Sequence, residues 1–175
     1  DTDFYATCTN VETGKAEYIK ITDMLSQVDA MRASASMPYV SKIVDYNGMK
    51  LLDGGCADSI PVEAFYKMGY ERLVVVLTRE AGFVKKSENA KMAEIRYHKY
   101  PEFVQALQNR HVVYNHSLEV LKEMERAGQA LVIQPDKKLD ISRMENDIEV
   151  IQQVYDLGGK DARIRMKALK DWMKQ

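Results

Sequence analysis

Residues 46–62, YNGMKLLDGGCADSIPV, contain the signals that decide how this part of the chain folds. Asn47-Gly48 is a strong signal for a tight hairpin turn, so residues 42–45 and 49–52 are predicted to pair as strands. The second strand ends at Asp53-Gly54-Gly55, and a helix is predicted to follow. An acid at that point is either an exposed turn residue or a carboxylate held at the mouth of a site.

The flanking sequence predicts strands that alternate with helices. Aromatic and β-branched residues around a Thr13-Gly14 turn predict a first hairpin, and RLVVVLT predicts a strand buried on both faces of a parallel sheet. Apolar residues at helical spacing predict the helices. The predicted strands are 4–9, 17–21, 42–45, 49–52, 72–78 and 130–134, and the predicted helices or helical stripes are 25–35, 61–69, 104–121, 148–155 and 162–173.

This order predicts an α/β fold with a mostly helical C-terminal region. After Thr78 the sequence pattern becomes mostly helical. We therefore divide the chain into residues 1–84, a sheet-containing part, and residues 85–175, a mostly helical appendage. We expect the helical stripes of the appendage to pack together as a structural element, not as a site. The chain begins at Asp1 with a strand-like segment, so we expect part of the domain to precede it.

Composition argues against several classes of protein. The 25 basic and 26 acidic residues give a net charge of −1, which offers no overall electrostatic footprint for nucleic acid or an anionic membrane. Cys8 and Cys56 have no metal-like spacing, and we interpret them as free thiols. We expect no metal and no cofactor, and a location that is cytoplasmic or peripheral to a membrane.

Common catalytic motifs are absent from these 175 residues. No dinucleotide or P-loop glycine pattern occurs, and none of the nine glycines is followed by another four residues on, which excludes Gly-x-Ser-x-Gly here. His111 lies on the apolar stripe and is interpreted as a core histidine. A nucleotide-binding domain therefore has only the α/β pattern in its favour. From the tripeptide alone, Asp53-Gly54-Gly55 is better explained as a turn than as a site.

The wider context changes that interpretation, because a series of motifs resembles the second half of patatin-like phospholipases. A helix ends at Arg32-Ala33-Ser34 before Pro38, and the hairpin and Asp53-Gly54-Gly55 follow. Ile60-Pro61-Val62 then opens a helix, which Gly69 and an apolar strand follow. The resemblance covers about residues 3–80, with Ser59 at a position where related sequences often carry Asn. Residues 85–175 resemble the C-terminal region of a bacterial subgroup of these hydrolases.

The resemblance implies a lipid acyl-ester hydrolase that uses a Ser-Asp dyad, on a partial three-layer α/β/α core. By this match Asp53 is the general base, and Gly54 and Gly55 shape its turn. The family's nucleophile stands in a Gly-x-Ser-x-Gly elbow, upstream with its oxyanion amides, and neither lies in this chain. Ser34, Ser36 and Ser59 are on no such elbow. The chain is therefore expected to carry the dyad Asp without the Ser and to be inactive alone.

Two expectations about partners follow. The substrate of the complete enzyme is expected to be a lipid or another acyl ester, with no nucleic acid partner. A part of the family domain that lacks its other strands should expose a sheet edge and an apolar face, so we expect a homodimer or a higher oligomer. The alternative function is a non-catalytic module for assembly or regulation in a degenerate patatin-like protein.

Overall fold

A computed structural model describes residues 2–89, 91–142 and 144–174. Six strands and five helices lie in these ranges. In chain order they are β1 (Phe4–Asn10), β2 (Ala16–Ile21), α1 (Val28–Ser34), β3 (Val44–Tyr46), β4 (Met49–Asp53), α2 (Val62–Lys67), β5 (Leu73–Val76), α3 (Lys91–Arg96), α4 (Pro101–Arg126), β6 (Ala130–Ile133) and α5 (Ile148–Trp172).

The larger sheet has the strand order β2-β1-β4-β3, and all its pairings are antiparallel. Both predicted hairpins are confirmed, as β1–β2 and β3–β4. Asn47 and Gly48 connect the second hairpin with φ angles of 48° and 77°. Positive φ at both positions is typical of the two-residue turns whose twist matches paired strands, which is why this dipeptide fixes the register of β4.

Strand β4 is buried on both faces of the larger sheet. Its neighbouring residues Leu51 and Leu52 are both fully buried, and successive side chains of a strand point to opposite faces. Leu51 packs with Ala33 of α1, whereas Leu52 packs with Phe103 of α4. The sheet therefore lies between helices on its two sides, which agrees with the predicted α/β fold and its three-layer core.

Residues 72–78 were predicted to form a strand buried on both faces. The strand is present, but the prediction that both of its faces are buried is wrong. The strand exists as β5 and is parallel to β6, but these two form a separate two-stranded sheet. Val74 and Val76 are 44% and 70% exposed. A β-branched run specifies an extended backbone, whereas burial also requires a covering layer. Among the described residues, only the face that bears Leu73 and Val75 is partly covered.

The C-terminal helices are present, but one of them is not packed as predicted. The stripe of residues 104–121 lies on α4, where Val104 and Leu121 are buried. The two later stripes fall on a single helix, α5, which lies against β6 and has no buried residue. The expectation that the helical stripes pack together is therefore wrong, because α5 lies mainly against β6 instead of α4, and Ile148, Ile151 and Tyr155 are exposed.

The chain forms two compact units that interleave along the sequence. The first contains Asp1–Pro61 and Lys85–Leu118, and the second contains Val62–Val84 and Glu119–Gln175. These units are defined by contacts within the structure. The division at residue 84 was proposed from the sequence and stays a prediction. None of the helices in the described ranges is long and apolar enough to cross a membrane.

Candidate active site

Asp53 is the last residue of β4, and the backbone around it is held by neighbouring elements. It pairs with Cys8 of β1 in the sheet, and its N–H donates to the carbonyl of Ser36 at 2.9 Å. The buried Thr9 hydroxyl donates to the Asp53 carbonyl at 2.8 Å, and it accepts from the Ala57 N–H at 3.1 Å. Residues before and after the hairpin thus fix the end of β4 from both sides.

The Asp53 side chain caps the short 3₁₀ turn that follows, Gly54–Cys56. Its Oδ1 accepts a hydrogen bond from the Gly55 N–H at 2.7 Å. Its Oδ2 has no hydrogen-bond partner among the described residues, and the side chain is half-buried. One oxygen therefore orients the carboxylate, while the other is able to accept a proton from a hydroxyl brought within hydrogen-bond reach.

Gly54 allows the turn to approach β1 closely. A Cβ atom at this position would lie 2.3 Å from the Thr7 carbonyl oxygen, a backbone atom that cannot move aside. Any side chain here would push the turn away from the sheet. The requirement for glycine at Gly54 is therefore steric.

Arg110 of α4 completes the turn, although no sequence motif marks it as a site residue. Its Nε donates to the Gly55 carbonyl at 2.5 Å, and the Ser59 hydroxyl donates to the same oxygen at 2.8 Å. A Cβ at Gly55 would lie 3.1 Å from Asp53 Oδ1 and 3.3 Å from an Arg110 guanidinium nitrogen. The carboxylate and the guanidinium thus border the same glycine. In the sequence, Arg110 stands next to the apolar stripe of this helix, where a charged residue is expected to face solvent. The helical period therefore does not identify it as a site residue.

Two buried thiols lie next to this turn. Burial, with the negative charge of Asp53 as a smaller cause, raises the pKa of Cys8 to about 11. Burial also raises the pKa of Cys56 to about 12, although the positive charge of Arg110 opposes that shift. Both thiols are free, as predicted, and protonated at neutral pH. Neither is an activated nucleophile, because nucleophilic cysteines have a lowered pKa.

The three serines near the motif are all engaged with backbone carbonyls. The hydroxyls of Ser34, Ser36 and Ser59 donate to Thr7, Arg32 and Gly55 respectively, at 2.7–2.8 Å. His111, on α4, contacts the Gln108 carbonyl through Nδ1 and is half-buried. Within the described ranges, no cluster of three or more acidic, histidine or cysteine side chains is arranged to hold a metal ion.

Comparison with protein families locates this turn in a known domain. Residues 9–66 match the family model described as patatin-like phospholipase. This stretch is patatin-like. It includes Asp53, Gly54 and Gly55, so the resemblance derived from the motifs is confirmed for the family. The match suggests a family of lipid hydrolases, with hydrolase activity within that family.

The C-terminal part matches a different model. Residues 100–174 match a domain of unknown function, DUF6363, which covers α4, β6 and α5. No curated protein sequence matches the chain. Arg110 lies in this second stretch and Gly55 lies in the patatin-like one, so the two matched stretches meet at the Asp53 turn.

Proposed function

We propose that this chain is the part of a patatin-like acyl-ester hydrolase that carries the general base, Asp53. The supporting observation is the state of its carboxylate. One oxygen is fixed by the Gly55 N–H and the other has no hydrogen-bond partner among the described residues, at the end of a strand in a patatin-like stretch. The serine nucleophile and the oxyanion amides are supplied by residues upstream of Asp1.

In the proposed reaction Asp53 accepts a proton and returns it twice, once in each half of the cycle. As the serine Oγ attacks the ester carbonyl, its proton moves to Asp53 Oδ2, and the leaving alcohol takes that proton when the C–O bond breaks. In the second half of the cycle, Asp53 deprotonates a water that attacks the acyl-serine, and the serine Oγ takes that proton as its bond to the acyl carbon breaks. No histidine is needed, because the carboxylate accepts the proton directly. Gly54 and Gly55 contribute by holding the carboxylate at a fixed angle.

The chain alone is proposed to be inactive. A general base contributes about 10²–10⁴-fold, and only when a nucleophile lies within hydrogen-bond reach. The three nearby serine hydroxyls donate to backbone carbonyls instead. Among the described residues, Asp53 therefore has no nearby serine hydroxyl to activate.

Probe labelling tests this proposal. We expect the 175-residue chain to resist a fluorophosphonate probe and to hydrolyse no short-chain nitrophenyl ester. The protein extended upstream of Asp1 should carry Gly-x-Ser-x-Gly, and its serine should be labelled. Labelling of Ser34, Ser36 or Ser59 in the short chain would contradict the proposal, because it would reveal a nucleophile within these residues.

The rival function, an assembly module, is supported by a different observation. β5 pairs only with β6 among the described residues, and its Val74–Val76 face is largely exposed. An open strand edge beside an exposed apolar face favours pairing with another copy of the chain. Self-association is compatible with the catalytic proposal. Assembly would be the sole function only if the sequence upstream of Asp1 lacks the serine of the Gly-x-Ser-x-Gly elbow.

A further inference from the structure

The longest exposed apolar surface of α5 is a stripe along one side of the helix. Ile148 and Tyr155 are 80% and 76% exposed, which is unusual for large apolar residues in an ordered helix. At 3.6 residues per turn the stripe occupies an arc of about 60°. Its exposed members are Ile148, Ile151, Tyr155, Met166 and Met173.

A different side of α5 is already attached to its own compact unit. Trp172 donates its Nε1 hydrogen to the Gly128 carbonyl at 3.0 Å, and the Arg72 guanidinium lies 4.0 Å from the centre of the Trp172 ring. At the other end, the Asp147 side chain caps the helix by accepting from the Glu149 N–H at 2.9 Å. Trp172 thus attaches the C-terminal end of the helix to the unit, whereas the Asp147 cap is local to the helix, and the large apolar residues Ile148 and Tyr155 take no part in either contact.

Positive charge flanks the stripe along the second half of the helix. Residues 160–174 contain six basic and two acidic residues, in a chain whose net charge is −1. All six cations are exposed, and none forms an ion pair within the described part of the chain. They are Lys160, Arg163, Arg165, Lys167, Lys170 and Lys174.

We propose that the stripe of α5 and its basic flanks bind the surface of an anionic lipid bilayer. A helix that lies in a membrane interface has an apolar face, Lys and Arg beside it, and low overall hydrophobicity. The apolar stripe would enter the boundary between headgroups and acyl chains, while the cations contact lipid phosphates. Each basic residue near an anionic surface adds to the attraction. The balanced charge of the whole chain conceals this local patch.

A lipid surface fits this helix better than a second copy of the chain does. A partner α5 in antiparallel orientation would bring Glu149 and Asp156 opposite the basic half, whose six basic and two acidic residues give a net charge of +4, so part of that charge would stay unpaired. An anionic bilayer supplies both an apolar layer and enough negative charge. The inference does not rest on the proposed catalysis, since it concerns binding and needs no turnover.

Vesicle sedimentation of the 175-residue chain tests the proposal. The chain should sediment with vesicles of phosphatidylcholine and phosphatidylglycerol at low salt, and much less with phosphatidylcholine alone or at high salt, which screens surface charge. The Arg163→Glu/Lys167→Glu/Lys170→Glu variant should weaken partitioning roughly ten-fold or more. The Ile148→Asp/Tyr155→Asp variant should abolish it. These positions are exposed, so circular dichroism should show an unchanged helix content.

Matched variants elsewhere serve as controls. Ile95→Asp changes an equally exposed apolar residue of α3, and Lys137→Glu/Lys138→Glu reverses two exposed cations outside α5. Both should bind vesicles as the parent chain does. The proposal is overturned if the parent chain does not bind anionic vesicles, or if the control and α5 variants bind equally. It is also overturned if the stripe variants dissociate a dimer while vesicle binding persists, since the face would then belong to a second copy.

Discussion

Arg110 donates its Nε hydrogen to the carbonyl oxygen of Gly55 at 2.5 Å. This hydrogen bond joins a helix in the domain of unknown function to the glycine turn of the patatin-like stretch. The contact lies within one compact unit, whose core includes Leu52 from β4 and Phe103 from α4. The start of α4 is therefore part of the layer that supports Asp53.

Replacing Arg110 with Ala should destabilise the Asp53 turn. Loss of a charge-assisted hydrogen bond to a half-buried carbonyl should lower the free energy of unfolding by about 1–3 kcal/mol. Arg110→Lys should rescue little, because a lysine ammonium cannot reproduce the sideways Nε–H. Urea unfolding measures both effects, with Lys122→Ala, an exposed change on the same helix, as the control. Equal free energies of unfolding for the Arg110 and Lys122 variants would show that the contact between Arg110 and Gly55 does not stabilise the fold.

Two glycine-to-alanine changes should have opposite signs. Gly54→Ala places a Cβ against the Thr7 backbone and should destabilise the chain by at least about 2 kcal/mol. Gly158→Ala adds a Cβ in open space within α5 and should stabilise that helix by about 1 kcal/mol, because alanine is the better helix former. Thermal unfolding should report both. A tolerated Gly54→Ala would mean that the turn moves away from β1 without cost.

Local signals were sufficient to predict most of the secondary structure. Asn47-Gly48 specified the β3–β4 hairpin because few other dipeptides adopt positive φ twice in succession. Pro61 and Gly69 correctly bracketed α2, and the apolar period predicted α4. The patatin-like motifs, all within short distances of Asp53, likewise could be recognised from the sequence.

Burial and long-range contacts could not be predicted in the same way. Val74 and Val76 have the composition of a core strand, but their exposure depends on what covers the sheet. The helix before Pro38 was predicted from Leu25 and Val28, which are exposed, whereas the side chains that face the sheet belong to the small residues Ala30 and Ala33. The contact between Arg110 and Gly55 spans 55 residues and has no local pattern.

The buried thiols predict a specific loss of stability at alkaline pH. Because burial raises the pKa of Cys8 to about 11 and of Cys56 to about 12, the folded chain holds both protons more tightly than the unfolded chain. This contribution is complete below the unfolded pKa, roughly 8.5, and is lost as pH rises toward the folded values. Chemical denaturation at several pH values should show a shallower decline for Cys8→Ala and Cys56→Ala than for the parent. Parallel curves would indicate that these thiols do not titrate differently on folding.

Self-association of the 175-residue chain remains a prediction. The open edge of β5 and the exposed Val76 favour pairing between copies, so light scattering should give at least twice the 20.0 kDa chain mass at high concentration. Val76→Lys should shift the equilibrium towards monomer, while Val84→Lys, at a similarly exposed residue outside the sheet, should not. A monomer mass at all concentrations would remove the basis for an assembly role.

The central proposal, that Asp53 is the general base of a Ser-Asp dyad, is tested most directly by ester hydrolysis in the protein extended upstream of Asp1. Asp53→Asn keeps the size of the side chain and an oxygen for the Gly55 N–H but cannot accept the serine proton, so turnover should fall by about 10²–10⁴-fold or more. Asp45→Asn, at an exposed acid of the same hairpin, should retain the parent rate, and both variants should unfold at the parent temperature. A folded Asp53→Asn enzyme with full activity would contradict the proposal and leave Asp53-Gly54-Gly55 as a structural turn.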